Sequence, residues 1–312
     1  MGVSEGTVVQ VDAKQVLVDL AGEVVPAALR GTLFEDLGTT KNPVAVGDRV
    51  RLDKDAEGPA VAEVLPRRNH LSRVASGHDP REQVLVANVD QLLVIGSVRQ
   101  PGFSSNRTDR ILAACEWHEV PTVVVLNKID LAKRDEAAAL EETYASVPVR
   151  VLRTSAKTGE GVEELGELLR DRVSVLYGPS GAGKSTLINQ LEPGLNLKEG
   201  RISSYWKQGR HTTTFSRLHP LSMGGAVVDT PGIRVFRLFD VSARELRDLF
   251  PDIHRLSQHC QFDDCSHDHE PGCALDRALD EGLIAPTRWS SYLEMLDELR
   301  ADPRRSSDEE AP

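Results

Sequence analysis

Gly178-Pro179-Ser180-Gly181-Ala182-Gly183-Lys184-Ser185-Thr186 fits the pattern G-x-x-x-x-G-K-[ST], the signature of a loop that wraps phosphates. The apolar run Val173–Tyr177 leads straight into it, and an amphipathic helical pattern follows. Strand, loop and helix are the context this chemistry needs. Glycines let successive backbone N–H groups curl around the phosphates, and the helix N-terminus adds positive potential. Lys184 is placed to reach the β- and γ-phosphates, and the Ser185 hydroxyl to ligate Mg²⁺.

Three further motifs close predicted strands. Asn127-Lys128-Ile129-Asp130 follows Thr122–Leu126, and an aspartate there accepts hydrogen bonds from guanine N1–H and the exocyclic amine, which adenine does not offer. Ser155-Ala156-Lys157 follows Arg150–Arg153, as a companion loop for guanine O6. Asp229-Thr230-Pro231-Gly232 ends Ala226–Val228, with Asp229 set to hold Mg²⁺ through water and the Gly232 N–H to sense a γ-phosphate. Together with the phosphate loop they specify GTP rather than ATP, and they argue against a small-molecule kinase.

Their order is unusual. Guanine motifs come first, then the phosphate loop, a threonine-rich stretch and finally D-x-x-G. A circular permutation of one sheet accounts for this without new chemistry. The chain after Gly232 then leads out of the GTPase unit directly into the C-terminal segment, so nucleotide state is positioned to move that segment.

Strands alternate with helices from Val84 onward: Gln91–Val98 reads as a further strand, and Arg107–His118, Glu136–Ala145 and Gly161–Arg172 read as helices between the strands, as in a parallel α/β sheet. Upstream, Thr7–Val11, Gln15–Leu20, Val24–Arg30, Arg49–Leu52 and Ala60–Leu65 are five short strands, a pattern shared by OB-fold and SH3-like barrels. Downstream, Ala243–Phe250, Ala274–Glu281 and Arg288–Leu299 read as helices. The expected organisation is a barrel over 1–68, a circularly permuted P-loop GTPase domain over 69–239, a helical metal-binding module over 240–300 and a disordered acidic tail over 301–312.

Charge is distributed along the same divisions. The net charge of −11 divides into −3 over 1–68, +2 over 69–239 and −10 over 240–312. Lys198, Arg201, Lys207, Arg210 and Arg217 against Glu199 make the stretch before D-x-x-G locally basic, either a phosphate-facing loop or a solvated one. Lys41, Arg49, Arg51, Arg67 and Arg68 are candidate RNA contacts in the barrel. No run approaches the ~18 apolar residues of a membrane span, the first residues lack a secretion pattern, and Gly6 rules out a myristoylation site. The expectation is a cytoplasmic monomer with no membrane partner.

Cys260, Cys265 and Cys273 crowd around several histidines, which points to a metal rather than a disulfide framework, and Cys115 reads as a core residue. One histidine with three thiolates suits a closed, structural, tetrahedral Zn²⁺ site. His254, His259, His267 and His269 all qualify as the fourth ligand by composition.

With the permuted motifs, the loop Gly209-Arg210-His211-Thr212-Thr213-Thr214, the barrel and the Cys/His cluster in place, the chain resembles the bacterial ribosome small-subunit-dependent GTPases (RsgA/YjeQ) over nearly its whole length. The resemblance implies an OB-fold at the N-terminus and one Zn²⁺ on Cys260, Cys265, His267 and Cys273. It also implies late maturation of the 30S subunit, with binding to 16S rRNA in the GTP state and release after hydrolysis. Thr212, Thr213 and Thr214 compete as the switch ligand to Mg²⁺, and the resemblance favours Thr213. Ile233 stands where a water-orienting Gln often follows D-x-x-G, so hydrolysis to GDP and phosphate should be slow alone and stimulated by the 30S subunit. His211 is the candidate for orienting the water, its alternative being packing or RNA contact. A second reading keeps the nucleotide chemistry but makes the protein a GTP-gated binding module for a protein or membrane partner.

Overall fold

The computed structural model describes residues 4–12, 15–35, 37–55, 58–75, 79–195, 197, 217–229, 238–263, 265–268 and 270–301. Five strands come first: β1 (Ser4–Val11), β2 (Val16–Leu20), β3 (Glu23–Leu29), β4 (Arg49–Asp55) and β5 (Gly58–Val64). They pair in the order β1-β2-β3-β5-β4, and β4 returns to β1, which closes the barrel. That order, with β3 and β5 parallel, is the OB arrangement. Alternation along the strands sends Val8, Val16, Val18, Val50, Leu52 and Val61 inward to a small aliphatic core. A two-residue turn, Ala21-Gly22 with both φ positive, joins β2 to β3, matching the twist of a hairpin.

The candidate RNA-contacting cations of the barrel already face carboxylates. Lys41 meets Asp79 at 3.3 Å, Arg49 and Arg51 share Glu5, and Arg68 meets Asp90 at 2.8 Å. Arg67 makes a two-pronged pair with Asp48, whose side chain is wholly buried. Asp48 in turn accepts from the Ala45 N–H, so this pair braces the loop before β4.

A two-stranded ribbon, β6 (His70–Val74) with β7 (Glu82–Ala87), leads out of the barrel. The main sheet follows: β8 (Gln91–Ser97), α1 (Ser105–Trp117), β9 (Thr122–Asn127), α2 (Glu136–Glu142), β10 (Arg150–Arg153), α3 (Val162–Leu169), β11 (Val173–Tyr177), α4 (Lys184–Leu191), β12 (Arg217–Pro220) and β13 (Ala226–Asp229). Strands β10-β9-β8-β11-β13 are parallel, and β12 lies antiparallel beside β13. Every residue of β8 is buried, as a central strand covered on both faces requires. Helices α3 and α4 pack on one face; α1, α2 and the C-terminal helices pack on the other. Strand order runs outward from β8 through β9 to β10, and the other way from β11 to β13. The reversal lies between β8 and β11, where ligands bind in open α/β sheets. Strand β12 also meets β1, with Gln10 opposite Arg217, so main sheet and barrel form one continuous eleven-stranded sheet.

Three helices end the described chain: α5 (Pro251–Ser257), α6 (Ala274–Asp280) and α7 (Pro286–Arg300). The helix predicted over Ala243–Phe250 is instead a 3₁₀ turn, Glu245–Leu249. Pro251 opens α5 and pushes Phe250 to an extended ψ of 86°, which leaves no room for a regular α-helix before it. Helix α7 lies along α1. At their contact the buried Arg288 donates through Nη1 to Asp109 at 2.8 Å and through Nε and Nη2 to both oxygens of Asp252. Its guanidinium also sits 4.8 Å from the centre of the Phe250 ring. Among the described residues no helix is long and apolar enough to cross a membrane.

Candidate nucleotide site and metal centre

Strand β11 runs into the loop Gly178–Gly183 because its backbone there is tightly confined. Gly183 has φ of 94°, and a Cβ on it would lie 2.2 Å from the Asn127 amide nitrogen. A Cβ on Gly178 would lie 2.1 Å from the Ile95 carbonyl oxygen, so β8 presses on the other end of the loop. Only glycine fits either place. Helix α4 begins at Lys184, and Ser185 is nearly buried in its first turn, followed by Thr186. Lys184 Nζ donates to the carbonyls of Gly178 and Pro179 at 2.7 and 3.1 Å, which holds it over the loop that also carries Ser180, Gly181 and Ala182.

The loops after β9 and β10 meet this one. Asn127 is 1% exposed, donates through Nδ2 to Ala182 O at 2.8 Å, and accepts from the Thr154 hydroxyl at 3.2 Å. Lys128, in a left-handed conformation (φ 59°), reaches across to Gly181 O at 2.6 Å and to Gln100 O. Ile129 and Asp130 follow in a short 3₁₀ turn. The Ser155 hydroxyl donates to Asp130 Oδ1 at 2.7 Å and accepts from the Thr158 N–H at 3.2 Å. Lys157 Nζ stands 3.9 Å from Asp130 Oδ2. Ala156 lies between them. One carboxylate is thus aimed by a hydroxyl at the mouth of two loops, both tied to a third whose N–H groups and lysine suit phosphate.

Asp229 ends β13 opposite Leu176 of β11, which sets its backbone beside the strand that feeds the phosphate loop. His211, Thr212, Thr213, Thr214, Gly232 and Ile233 lie outside the described residues, as do Lys198, Arg201, Lys207 and Arg210. The ties from Thr154 and Gln100 carry no motif of their own.

Cys260, Cys265, His267 and Cys273 bring their ligand atoms within 4.8 Å of one another, and all four described cysteines are free thiols. His267 Nδ1 lies 3.5 Å from Cys260 Sγ and 3.9 Å from Cys273 Sγ. A tetrahedral zinc ion with ordinary Zn–S and Zn–N bonds separates such atoms by about 3.6 Å. The donor set and its spacing therefore fit one metal ion, held through Nδ1. The Ala274 N–H donates to Cys260 Sγ at 3.3 Å. Glu270 accepts from the N–H groups of Ser266 and Asp268, both at 2.9 Å, which fixes the bend that carries His267. His254 pairs with Asp248 at 2.8 Å and His259 is exposed, so neither joins the cluster. His269 lies outside the described residues.

Comparison with known proteins agrees with this geometry. A sequence model of the RsgA GTPase family matches residues 64–239. The small ribosomal subunit biogenesis GTPase RsgA of Bacteroides fragilis is 39% identical over 281 residues, which span 89% of this chain and 91% of the relative. Its counterpart in Chlorobaculum tepidum is 42% identical over 283 residues, 86% of this chain and 89% of that one. Among solved structures, YjeQ from Thermotoga maritima superposes with a TM-score of 0.75 at 34% identity, covering 96% of this chain and 99% of its own. YloQ, a circularly permuted GTPase, gives 0.67 at 26% identity, covering 96% of each chain.

Proposed function

The chain belongs to the RsgA GTPase family, and from that premise we propose that this GTP hydrolase acts in biogenesis of the small ribosomal subunit. It binds the 30S particle and 16S rRNA in the GTP state and leaves after hydrolysis. The observation that carries the nucleotide half is the Asn127–Ala182 hydrogen bond, which makes the guanine loop and the phosphate loop one unit.

In this reading Asp130 accepts from the guanine edge, aimed by Ser155, while Ala156 and Lys157 border the base with Asn127, Lys128 and Ile129. Residues Gly178–Thr186 receive the phosphates, and Lys184 leaves its carbonyl partners for the β- and γ-phosphate oxygens. Ser185, Thr213 and Asp229 would hold Mg²⁺, which would supply positive charge beside the phosphates. Gly232 senses the γ-phosphate, and His211 orients the attacking water in place of the Gln that Ile233 replaces. Zn²⁺ on Cys260, Cys265, His267 and Cys273 supplies folding free energy to a polar loop.

We assign the barrel to 1–68, the GTPase domain to 69–239, the zinc module to 240–300 and a tail to 301–312, in a cytoplasmic monomer. The paired cations of the barrel favour a second reading, GTP-gated binding of a protein partner. Turnover and co-sedimentation with 30S, 50S and 70S particles, in GDP and in a non-hydrolysable GTP analogue, separate the two. The first reading expects 30S to raise turnover by ~10³-fold or more, with tighter binding in the GTP form. Equal affinity in both nucleotide states and no rate increase would defeat it.

A further inference from the structure

We propose that the C-terminal module contains a second ligand site, separate from the nucleotide loops, for the phosphate group of a small phosphorylated molecule of mononucleotide size. A cavity of about 400 Å³ opens between the turn before α5, the metal-binding loop and α7. That volume is within the range of small-molecule pockets. Arg244 and Arg247 line it from the turn, and Arg300 from the end of α7.

The turn aims its two arginines together. Ser242 N–H donates to Glu245 Oε2 at 2.7 Å and Glu245 N–H returns to Ser242 Oγ at 3.2 Å, a reciprocal cap that fixes where the turn starts. With three residues per 3₁₀ turn, side chains three apart stack on one side. Arg244 and Arg247 therefore leave the backbone in the same direction. Arg247 engages Asp248 through Nε alone, at 3.2 Å, and its two Nη groups have no hydrogen-bond partner among the described residues. Arg244 forms no ion pair among the described residues. Like charges held side by side repel, and an oxyanion between them reverses the sign of that interaction.

Arg300 is paired with Asp268 at 2.9 Å on exposed surface, where such a pair is weak and exchangeable. Among the described residues the cavity wall carries one carboxylate, Asp263, and apolar patches at Ala243 and Leu296. Two guanidinium forks offer more donors than a carboxylate has oxygens to receive, whereas a phosphate monoester presents three. Ala243 and Leu296 then take the body of the molecule.

The test is calorimetric titration of the zinc-loaded full chain carrying Lys184→Ala, which silences the phosphate loop, with inorganic phosphate and with adenosine 5′-monophosphate. The expected result is one saturable site for the nucleotide, weakened at least tenfold by Arg244→Gln with Arg247→Gln, at unchanged zinc content and melting temperature. Arg244→Lys, which keeps the charge but loses the fork, should give an intermediate loss. Absence of saturable binding to either probe overturns the proposal, as does affinity that ignores the double substitution. A short RNA duplex that binds through the same arginines while the mononucleotide does not would also overturn it. GTP hydrolysis by the chain with Lys184 intact reads the nucleotide site independently.

Discussion

Replacing Arg288 by Met tests whether the contact between α1 and α7 is an electrostatic keystone. Arg288 is 2% exposed, and the side chains of its two partners, Asp109 and Asp252, are wholly buried. Met fills much the same volume but leaves two carboxylates without a counter-charge in a site water does not reach. Breaking a buried pair from one side costs about 3–5 kcal/mol, because the orphaned charge keeps its desolvation penalty. At roughly 2–3 °C per kcal/mol for a cooperative unit of this size, the melting temperature should fall by about 10 °C. Arg288→Met combined with Asp109→Asn and Asp252→Asn should recover a large part of that loss, since no charge is then stranded.

The pH dependence gives an independent handle. Burial raises the Asp109 pKa, and the single variant removes the opposing pull of Arg288. The unfolded chain therefore gives up the Asp109 proton first as pH rises, and the variant's deficit should shrink between pH 7 and pH 5. Calorimetry across that range measures both effects. A variant melting within about 2 °C of the parent at pH 7, or a deficit constant with pH, would show that the contact is held by packing alone.

Asp130→Asn should abolish GTP selectivity and favour xanthosine triphosphate, a discrimination of ~10⁴-fold for sites built on such hydrogen bonds; nucleotide competition binding checks it, and unchanged GTP affinity removes Asp130 from the role. Elemental analysis should find about one Zn²⁺ per chain, lost in Cys265→Ser, with residues 250–285 losing protection in hydrogen exchange while GTP binding persists. Burial and the neighbouring His70 push His118 down to about 4, so the unfolded chain takes up that proton first and stability should drop by up to about 3 kcal/mol as pH falls from 6.5 to 4. Glu82, held by His70 down to about 2, loses its contribution as pH falls from 4.5 toward 2, which has the same sign. His118→Gln should flatten the first slope, and an unaltered slope would assign it to other groups. His211→Ala should lower kcat with little change in nucleotide affinity, read by single-turnover hydrolysis beside equilibrium binding.

The parts of this fold that were legible are those where the chemistry is local. Val173–Tyr177 and Thr122–Leu126 are β-branched runs that end in motifs, so strand and site announce each other. The loops at Asn127, Ser155 and Gly178 could be assigned to one site from their places at strand ends. What could not be read is how they are tied, because Thr154 and Gln100 act through a hydroxyl and a carbonyl that belong to no pattern. Strands β6, β7 and β12 were missed; His70-Leu-Ser-Arg-Val74 and Arg217-Leu-His-Pro220 carry charge, and Pro ends the last. Leu71 of β6 is buried in a core built from elements distant in sequence, while no residue of β12 is buried. Arg288 and Asp109 are 179 residues apart, and each looks alone like a solvated helix position. The reciprocal cap at Ser242 and Glu245 was local and readable, and it marks a turn where helical periodicity suggested a helix.

Strand β12 lies between β13 and β1, so the barrel covers part of an edge that the main sheet would otherwise present to solvent. An uncovered strand edge is a template for pairing with another chain. The barrel therefore also works as a shield against self-association. Cutting the chain after residue 68 should yield a species that oligomerises through β12 rather than a smaller soluble GTPase. A proline at Gln10, the residue opposite Arg217, should disturb that pairing, loosen the shield in the intact protein and raise its tendency to aggregate on mild heating.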